Sequence, residues 1–427
     1  MSKKVRTIPL HSQILIGIFA GILCGTSVIF IQGGHTFIQF YVAPFGNIFL
    51  KLLQLIAIPV ILTSLITGLA KIKDVKKIGS MGLKTVIFFI CTTLIATTIG
   101  VIIADIIRPG KSIDENIKKE MIASMGVTSD DISDQLNTGG SPLTFIENMV
   151  PSNFFQSISS NQNMIQVVLF AILFGVALSR IGEEKAKPVL LFLEGTNEAL
   201  TLMINLIMKI APLGVFALVA SVLAKVSAGD LQKSIHLLSG LAWYSLSVLT
   251  GLCIMICLVY PVLFYTFSGT SYSMFFKSMR SAFLLAFTSS SSSATLPLTM
   301  QCVEKNLKVD KEIAGFVLPF GTTINMDGTA LYQCVAAIFI AQFFNLELSW
   351  TQQIVIILTA TTAAAGAAGI PGAGMVTLIM ILQNAGLPTA GINLILIPDR
   401  ILDMCRTVIN VAGDVTACLV VKGRSKA

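Results

Sequence analysis

A long apolar stretch near the C terminus, residues 394–421, leaves few folds open to this chain. About 20 apolar residues cross a bilayer as a helix, so the stretch is long enough to span one. Its charged residues are Asp399, Arg400, Asp403, Arg406 and Asp414. A charge at mid-membrane costs about 3 kcal/mol even on the gentlest scale, and such residues therefore normally face a protein interior or a watery cavity. The stretch predicts a membrane-embedded helix with one side turned toward other parts of the protein.

The polar residues of this helix share one side. At about 100° per residue, five of them fall within an arc of about 80°. They are Asp399, Asp403, Arg406, Asn410 and Asp414. A buried salt bridge is one interpretation, because Arg406 follows Asp403 by three residues and can reach back toward Asp403 and Asp399. That pairing leaves Asp414 without a cation in the helix, so the stripe also predicts the binding of a cationic ligand.

The composition places the whole chain in a membrane. Of the 427 residues, 54% are hydrophobic and 12% are charged, which excludes a soluble fold of this size. We predict an all-α membrane protein with eight transmembrane helices. Their approximate ranges are 11–32, 43–70, 82–107, 163–181, 188–224, 234–265, 313–343 and 391–421. The long polar stretch at about 109–141 predicts a solvated loop with a short amphipathic helix.

Lysine and arginine are divided unequally between the two sides of the membrane. If the N terminus is cytoplasmic, 18 of the 29 lie on the cytoplasmic side and 6 on the outer side. Positive residues collect on the cytoplasmic side of membrane proteins. Both termini are therefore predicted to be cytoplasmic, in a multi-pass protein of the cell's inner (plasma) membrane. The net charge of +7 follows this topology and does not indicate nucleic-acid binding.

Two segments break the pattern of full-length spans. A serine-rich run at 288–293 divides residues 274–305 into two short pieces, and the run GAAGIPGAG at 366–374 divides residues 352–385. Each piece is too short to span a bilayer, which predicts two re-entrant helical hairpins lining protein or a watery cavity. Each hairpin precedes a span that contains polar residues, and the topology inverts between the two units. Such an inverted repeat indicates a transport site near mid-membrane.

The span 313–343 contains polar residues in its middle, in the sequence GTTINMDGT at 321–329. This pattern predicts an unwound helix, since a simple kink does not call for Asp327. Hard cations such as sodium take oxygen ligands, which carboxylates, amides, hydroxyls and freed carbonyls supply. The break is therefore a predicted cation site.

Four motifs connect the chain to a known family. They are SSSSSATLP (289–297), NMDGTALYQ (325–333), AAGIPGAG (367–374) and DRILDMCRTVINVAGD (399–414). In this order they resemble the dicarboxylate/amino acid:cation symporter family, the glutamate transporter homologues, and the likeness covers essentially the whole chain. It implies the glutamate transporter homologue fold in a single integral membrane transporter that assembles as a homotrimer. Elevator-type alternating access is implied as well, with a scaffold at about 1–75 and 141–225 and a transport part at about 76–107 and 230–421.

The resemblance also implies a substrate site. Arg406 would bind the side-chain carboxylate of an acidic L-amino acid, aspartate or glutamate, and Asp403 would bind its amino group. The other implied substrate residues are Ser290, Ser291, Ser292, Thr329, Ile370, Pro371, Gly372, Ala373, Gly374, Thr407 and Asn410. The implied function is secondary active symport, in which an inward sodium gradient drives uptake with about three sodium ions.

Three sodium sites follow from the same resemblance. The first would consist of Gly321, Asn325, Asn410 and Asp414. The second would consist of Thr323, Met326 and the backbone of Ala364, Ala365 and Ala367. The third would consist of Phe89, Thr92, Thr93, Asn325 and Asp327.

The chain departs from the family pattern in two respects. Gln333 stands where eukaryotic members carry a glutamate linked to proton and potassium coupling, which favours a sodium cycle of the prokaryotic type. Eukaryotic members carry an arginine at the position of Met404 and archaeal members at that of Ser290, and this chain has neither. Arg400 lies one turn before Met404 and either substitutes for that arginine or lies at the membrane interface.

Two related functions and one unrelated function compete with this interpretation. A proton-coupled glutamate/C4-dicarboxylate symporter and an anion-conducting channel would share most of these features. An enzyme is not predicted, because a serine nucleophile needs an activating base. The three histidines, His11, His35 and His236, lie outside the polar motifs.

Overall fold

The computed structural model describes most of the chain. The residues outside the description are 1–9, 29–30, 32, 71–78, 125–146, 148–149, 160–163, 228–230, 365, 367–368, 370–371 and 424–427. Secondary structure in the described part consists of helices.

In the described residues the helices fall into seventeen α-helical elements, with short π- and 3-10 segments between some of them. The first half contains α1 (Leu10–Ser27), α2 (Gly34–Phe37), a π segment (Ile38–Val42), α3 (Ala43–Ala70), α4 (Gly79–Ile107), a 3-10 turn (Pro109–Ser112), α5 (Glu115–Ser124), α6 (Phe154–Ile158), α7 (Met164–Arg180) and α8 (Glu183–Ser227). The second half contains α9 (Leu231–Ile254), a π segment (Met255–Val259), α10 (Tyr260–Ser268), α11 (Tyr272–Ser289), α12 (Ser292–Lys305), α13 (Lys311–Ile324), α14 (Asp327–Phe343), α15 (Trp350–Ala364), α16 (Ala373–Asn384), a 3-10 turn (Thr389–Gly391) and α17 (Ile392–Lys422).

All eight predicted spans coincide with helices. Five helical stretches in the described residues are long and apolar enough to cross a membrane: Met81–Ser112, Glu183–Ala224, Ile235–Ser268, Lys311–Phe343 and Thr389–Lys422. The other three predicted spans coincide with α1, α3 and α7. The prediction of an all-helical membrane protein is therefore confirmed.

The two predicted hairpins and the predicted helix break are present. Helices α11 and α12 pack against each other across a turn at Ser290, and α15 packs against α16 across the glycine-rich segment. Between α13 and α14 the backbone leaves helical geometry at Asn325 (φ −96°, ψ 98°) and Met326 (φ −124°, ψ 51°). The break frees backbone groups next to Asp327, as the polar sequence predicts.

The helices pack as two groups. The α8 group comprises α1, α3, α7 and α8, with α8 packed along both α1 and α3 and with α3 also contacting α7. The α14 group comprises α4 and α9–α17, and in it every residue of α14 is buried. The two groups meet mainly where α8 touches α9 and α17 and where α3 touches α13 and α16.

Glycines allow close approach at the centre of the α14 group. A Cβ atom at Gly100 would lie 2.7 Å from the Leu331 carbonyl oxygen, and one at Gly328 would lie 2.7 Å from the Arg406 carbonyl oxygen. Small residues at such crossings are a common basis of helix association in membranes, where lipid supplies no hydrophobic drive. Here they bring α4 and α17 against α14.

The polar segment after α4 is only partly the solvated loop that the sequence predicts. Helix α5 is the expected short helix, yet Ile117, Met121 and the whole Lys118 side chain are buried. The Lys118 ammonium donates to Glu115 Oε1 (3.0 Å) and to Asn345 Oδ1 (3.3 Å), just beyond the end of α14. A hydrogen bond from the Asn345 amide and the neighbouring ammonium lower the pKa of Glu115. The predicted short amphipathic helix is therefore present, and its buried face, which uses a lysine stem as apolar surface, is the part of the segment that is not solvated.

Candidate functional site

The polar stripe of α17 faces the interior of the α14 group. Its five polar residues Asp399, Asp403, Arg406, Asn410 and Asp414 are all buried. Helix α17 contacts α13, α14 and both arms of the first hairpin. The helical period predicted from the sequence thus places the polar side where the break and the first hairpin lie.

Arg406 is the most enclosed charged residue of the stripe. Its side chain has no exposed surface, and its Nη2 donates to Asp403 Oδ1 (2.8 Å) and Asp399 Oδ1 (3.1 Å). The guanidinium also lies over the Tyr332 ring, 3.7 Å from its centroid, in a cation–π contact. Nε and Nη1 have no hydrogen-bond partner among the described residues. Two buried, unpaired nitrogens beside one paired nitrogen are suited to a planar anion such as a carboxylate.

Asp403 lies between two arginines that use different oxygens. Arg406 Nη2 donates to Oδ1, whereas Arg400 Nη1 donates to Oδ2 at 3.3 Å. The backbone amide of Gly372, just before α16, also donates to Oδ2 at 3.3 Å. Asp403 thereby joins α17 to the second hairpin.

Asn410 connects α17 to the helix break. Its Oδ1 accepts from the Gly328 amide (2.8 Å), and its Nδ2 lies 3.2 Å from both Thr329 Oγ1 and Met326 Sδ. The Thr407 hydroxyl donates within its own helix, to the Asp403 carbonyl at 2.8 Å. Of the predicted substrate residues, Thr329, Asp403, Arg406, Thr407 and Asn410 are therefore brought together around one site.

The tips of the two hairpins touch each other. Ser291 Oγ donates to the Gly369 carbonyl at 2.7 Å, and the Ser293 amide donates to the same oxygen at 3.2 Å. A Cβ at Gly369 would lie 2.8 Å from Ser292 Oγ, so only glycine fits there. Ser290 adopts the left-handed conformation (φ 53°), and its buried hydroxyl has no partner among the described residues.

The second hairpin supplies part of its predicted set. A Cβ at Gly374 would lie 3.3 Å from Arg406 Nη1, and Ala373 is the first, half-buried residue of α16. Gly372 (φ 81°) precedes it. Ile370 and Pro371 lie outside the described residues.

Asn325 and Asp414 meet at the break, as the first predicted sodium site requires. Asn325 Nδ2 donates to Asp414 Oδ1 at 2.9 Å, and its own Oδ1 is a buried acceptor without a partner in the described part of the chain. Gly321 lies directly against the Asp414 carboxylate, where a Cβ would be 2.7 Å from Cγ. Among the described residues Asp414 has no cationic partner.

Asp327 receives hydroxyl donors on both oxygens. Thr93 Oγ1 donates to Oδ1 at 2.7 Å, and Tyr260 Oη donates to Oδ2 at 2.9 Å. Thr92 donates to the Phe89 carbonyl at 3.2 Å, so these third-site residues lie on one stretch of α4 facing the break. Asp327 is fully buried and, like Asp414, has no ion pair in the described structure.

The second predicted sodium set is only partly described. Met326 packs with Ala330 and Ala364, which brings the break to the end of α15. The Thr323 hydroxyl donates to the Pro319 carbonyl of its own helix at 3.1 Å. Ala365 and Ala367 lie outside the described residues.

Comparison with known proteins gives a match along almost the whole chain. The profile of the sodium:dicarboxylate symporter family matches residues 10–424. The chain belongs to this family.

Individual members are similar over their length as well. The chain is 36% identical over 421 residues to the proton/sodium-glutamate symport protein of Bacillus caldotenax, covering 97% of this chain and 94% of that protein. It is 35% identical over 411 residues to the protein of the same name from Bacillus subtilis (strain 168), with 96% and 91% covered. It is also 33% identical over 468 residues to human excitatory amino acid transporter 3, with 97% and 86% covered.

Two tyrosines belong to this family member's site although sequence reasoning did not place them there. Tyr332 supports Arg406, and its signal was available, because it lies three residues after Thr329 within the NMDGTALYQ motif. Tyr260 binds Asp327 from the span that α9 and α10 form. The only hint for Tyr260 is that a buried tyrosine hydroxyl usually finds a partner.

Gln333 ties α14 to the second hairpin. Its amide donates to the Gly374 carbonyl at 2.9 Å and to the Thr377 hydroxyl. Gln333 Oε1 is buried without a partner among the described residues. The residue noted as a departure from the eukaryotic pattern thus contacts the first turn of α16, next to Arg406.

A cavity separates the two helix groups beside the site. Ile14, Phe49 and Met208 of the α8 group line one wall. Asp399, Arg400 and Asp403 of α17 line the other. Arg400 therefore lies at the boundary of the groups, 7% exposed, rather than at a membrane interface.

Proposed function

We propose that this protein is a sodium-coupled symporter of acidic L-amino acids, aspartate or glutamate. The observation that carries the proposal is the pair of buried carboxylates at the helix break, Asp327 and Asp414. Neither has a cationic partner in the described structure, and uncompensated charge at mid-membrane is costly. Their surroundings offer hydroxyl, amide and carbonyl oxygens, the ligands that hard cations prefer. The names of the bacterial relatives, proton/sodium-glutamate symport proteins, support the same function.

Arg406 would bind the substrate's side-chain carboxylate. In the observed arrangement it pairs with Asp399 and Asp403 and retains unpaired donors. An acidic amino acid could take the place of these bonds. Its side-chain carboxylate would accept from the Arg406 guanidinium, and its ammonium would donate to Asp403. The remaining predicted residues, on the hairpin tips and around Asn410, would enclose the substrate.

The charges in the site support about three sodium ions. Four aspartates (327, 399, 403 and 414) and two arginines (400 and 406) leave a charge of −2 if all are ionised. An acidic amino acid brings the total to about −3, which three monovalent cations would neutralise. Without Arg400 in the site the same count would give four, so its contact with Asp403 lowers the expected number to three.

A proton-coupled symporter is the second candidate, because the bacterial relatives' names include the proton. Gln333 weighs against it, since an amide beside the second hairpin cannot carry a proton through the cycle.

An anion channel is the third candidate. Saturable uptake against a concentration gradient would exclude a channel.

Counterflow in proteoliposomes tests the function directly. Vesicles loaded with unlabelled aspartate or glutamate should accumulate the labelled amino acid only when sodium is present, because the buried carboxylates need cations before an anionic substrate can bind. Choline replaces sodium in the control. Equal counterflow in choline would contradict sodium coupling, and counterflow that depends on pH instead would favour the proton-coupled symporter.

The two helix groups would serve as scaffold and transport part. The α8 group falls within the predicted scaffold, and the site lies entirely within the α14 group, whose boundary carries the cavity. Crosslinking cysteines at Phe49 and Met375 across that boundary should stop transport and spare substrate binding if the groups slide past each other.

A homotrimer should show three times the chain mass in light scattering. A cysteine added at the C terminus should react only with reagents on the cytoplasmic side.

Gly321 offers a test of the first sodium site. In Gly321→Ala the new methyl group would overlap the Asp414 carboxylate, so we expect the sodium concentration for half-maximal uptake to rise at least about tenfold. Gly315→Ala on the same helix is the matched control, because a Cβ there would have no atom within 4 Å apart from the neighbouring backbone of its own helix. That change should leave sodium dependence unaltered and stabilise α13 by about 0.5–1 kcal/mol. Equal sodium dependence in the two variants would remove Gly321 from the site.

A further inference from the structure

We propose that Arg400 is a positioning residue that keeps Asp403 oriented and charge-balanced while Arg406 exchanges Asp403 for the substrate. The inference rests on the proposed function and adds a residue that the predicted site did not contain. The two arginines contact different oxygens of Asp403, because Arg406 donates to Oδ1 and Arg400 donates to Oδ2.

Arg406 cannot serve Asp403 and a substrate carboxylate equally well. It gives one nitrogen, Nη2, to both Asp399 and Asp403 and has two free donors. When it turns to a substrate carboxylate, Asp403 loses its closest cationic contact. A buried carboxylate left without a cation is costly, and Asp399 nearby adds repulsion. A second cation on the opposite oxygen removes that cost during the exchange.

The contact that Arg400 makes in the described structure fits this role. Its Nη1 bonds only Asp403 Oδ2, and its Nε is buried without a partner among the described residues. The facing wall of the cavity is apolar, with Ile14, Phe49 and Met208. A buried arginine that faces apolar residues is favourable only when a nearby carboxylate balances its charge, and Asp403 on the same helix is that carboxylate. The Gly372 amide on the same oxygen fixes Asp403 further, so that Oδ1 points toward Arg406 and the substrate.

A positioning role for Arg400 predicts opposite changes in the affinities for sodium and for the amino acid, whereas misfolding would weaken both. Removing a positive charge from the site should weaken binding of an anionic amino acid and strengthen binding of sodium. Arg400 lies 14 residues before Asp414, or about 21 Å along α17, so the effect on sodium at the break should be about three- to fourfold. The effect on the amino acid should be at least about tenfold, because Asp403 is in direct contact.

The experiment uses the purified full-length protein with Arg400→Met. Sodium affinity is measured without amino acid, as the concentration that gives half-maximal protection against thermal unfolding. Aspartate affinity is measured by calorimetry at saturating sodium. We expect the sodium concentration for half-maximal protection to fall about three- to fourfold, while the aspartate Kd rises at least about tenfold. Arg400→Lys keeps the charge and should restore the sodium value, with an intermediate aspartate Kd because lysine lacks the planar donor set.

Controls separate this inference from the function on which it rests. Lys84→Met removes an equal charge from the exposed side of α4 and should change neither value. An unchanged aspartate Kd in Arg400→Met, or a loss of both affinities together, would overturn the role of Arg400 while leaving the function intact. Wild-type protein that binds no aspartate in sodium would overturn both.

Discussion

Replacing Arg406 by alanine should abolish sodium-dependent uptake of aspartate and glutamate. The guanidinium is fully buried and is the only cation in contact with Asp399 among the described residues. In Arg406→Ala the carboxylate of a bound substrate would be a buried charge without a partner, which costs about 3–5 kcal/mol and corresponds to a loss of aspartate affinity of about 150- to 5,000-fold. Uptake of radiolabelled aspartate by proteoliposomes measures the effect.

The same variant should change selectivity as well as affinity. Without Arg406 the substrate side chain no longer needs a negative charge, so serine should become a better substrate than aspartate in Arg406→Ala and Arg406→Cys. Arg280→Ala is the matched control, because Arg280 lies exposed on α11 outside the site. Sodium protection of the variant against thermal unfolding shows that it is folded. Undiminished aspartate affinity would contradict the role assigned to Arg406.

The sequence was sufficient to predict the broad fold and the polar face of α17. Apolar segment lengths predicted the spans, and the 3.6-residue period of the helix placed Asp399, Asp403 and Arg406 on one side. The pairing of Arg406 with both aspartates also follows from their spacing on one helix and is present. The helix break after Ile324 was predictable because Asn, Asp and Gly in mid-span have no role in a regular, lipid-facing helix.

Contacts between distant segments were not predictable in the same way. Thr93 and Asp327 are 234 positions apart and Tyr260 and Asp327 are 67 apart, so no local period connects them. The family resemblance supplies Thr93, but the only hint for Tyr260 is the general tendency of a buried tyrosine hydroxyl to find a partner. The burial of α5 was missed for a similar reason, since the partner of Lys118 is Asn345, 227 positions away. The sequence leaves two roles open for Arg400, because only the tertiary structure shows which carboxylate it reaches.

Uptake should be driven strongly by an inside-negative membrane potential. If three sodium ions neutralise the loaded site and the amino acid carries −1, each cycle moves about two positive charges inward. Each charge gains about 2.3 kcal/mol per 100 mV, so two charges at that voltage raise the equilibrium accumulation ratio about 2,000-fold. Charges fixed to the protein, Arg400 and the aspartates included, return on every cycle and cancel, so the sign depends only on the ions and the amino acid that are carried.

Initial aspartate uptake against a potential set by valinomycin and a potassium gradient tests this expectation. Sodium is held equal on both sides, so that voltage is the only driving force that varies. The rate should rise when the interior is negative, fall when the gradient is reversed, and not respond to valinomycin without a potassium gradient. A rate that ignores voltage would contradict electrogenic coupling of sodium. Uptake that continues without sodium and follows a pH gradient would instead assign the buried carboxylates Asp327 and Asp414 to protons, since protonation would remove the charge that the sodium ions are expected to balance.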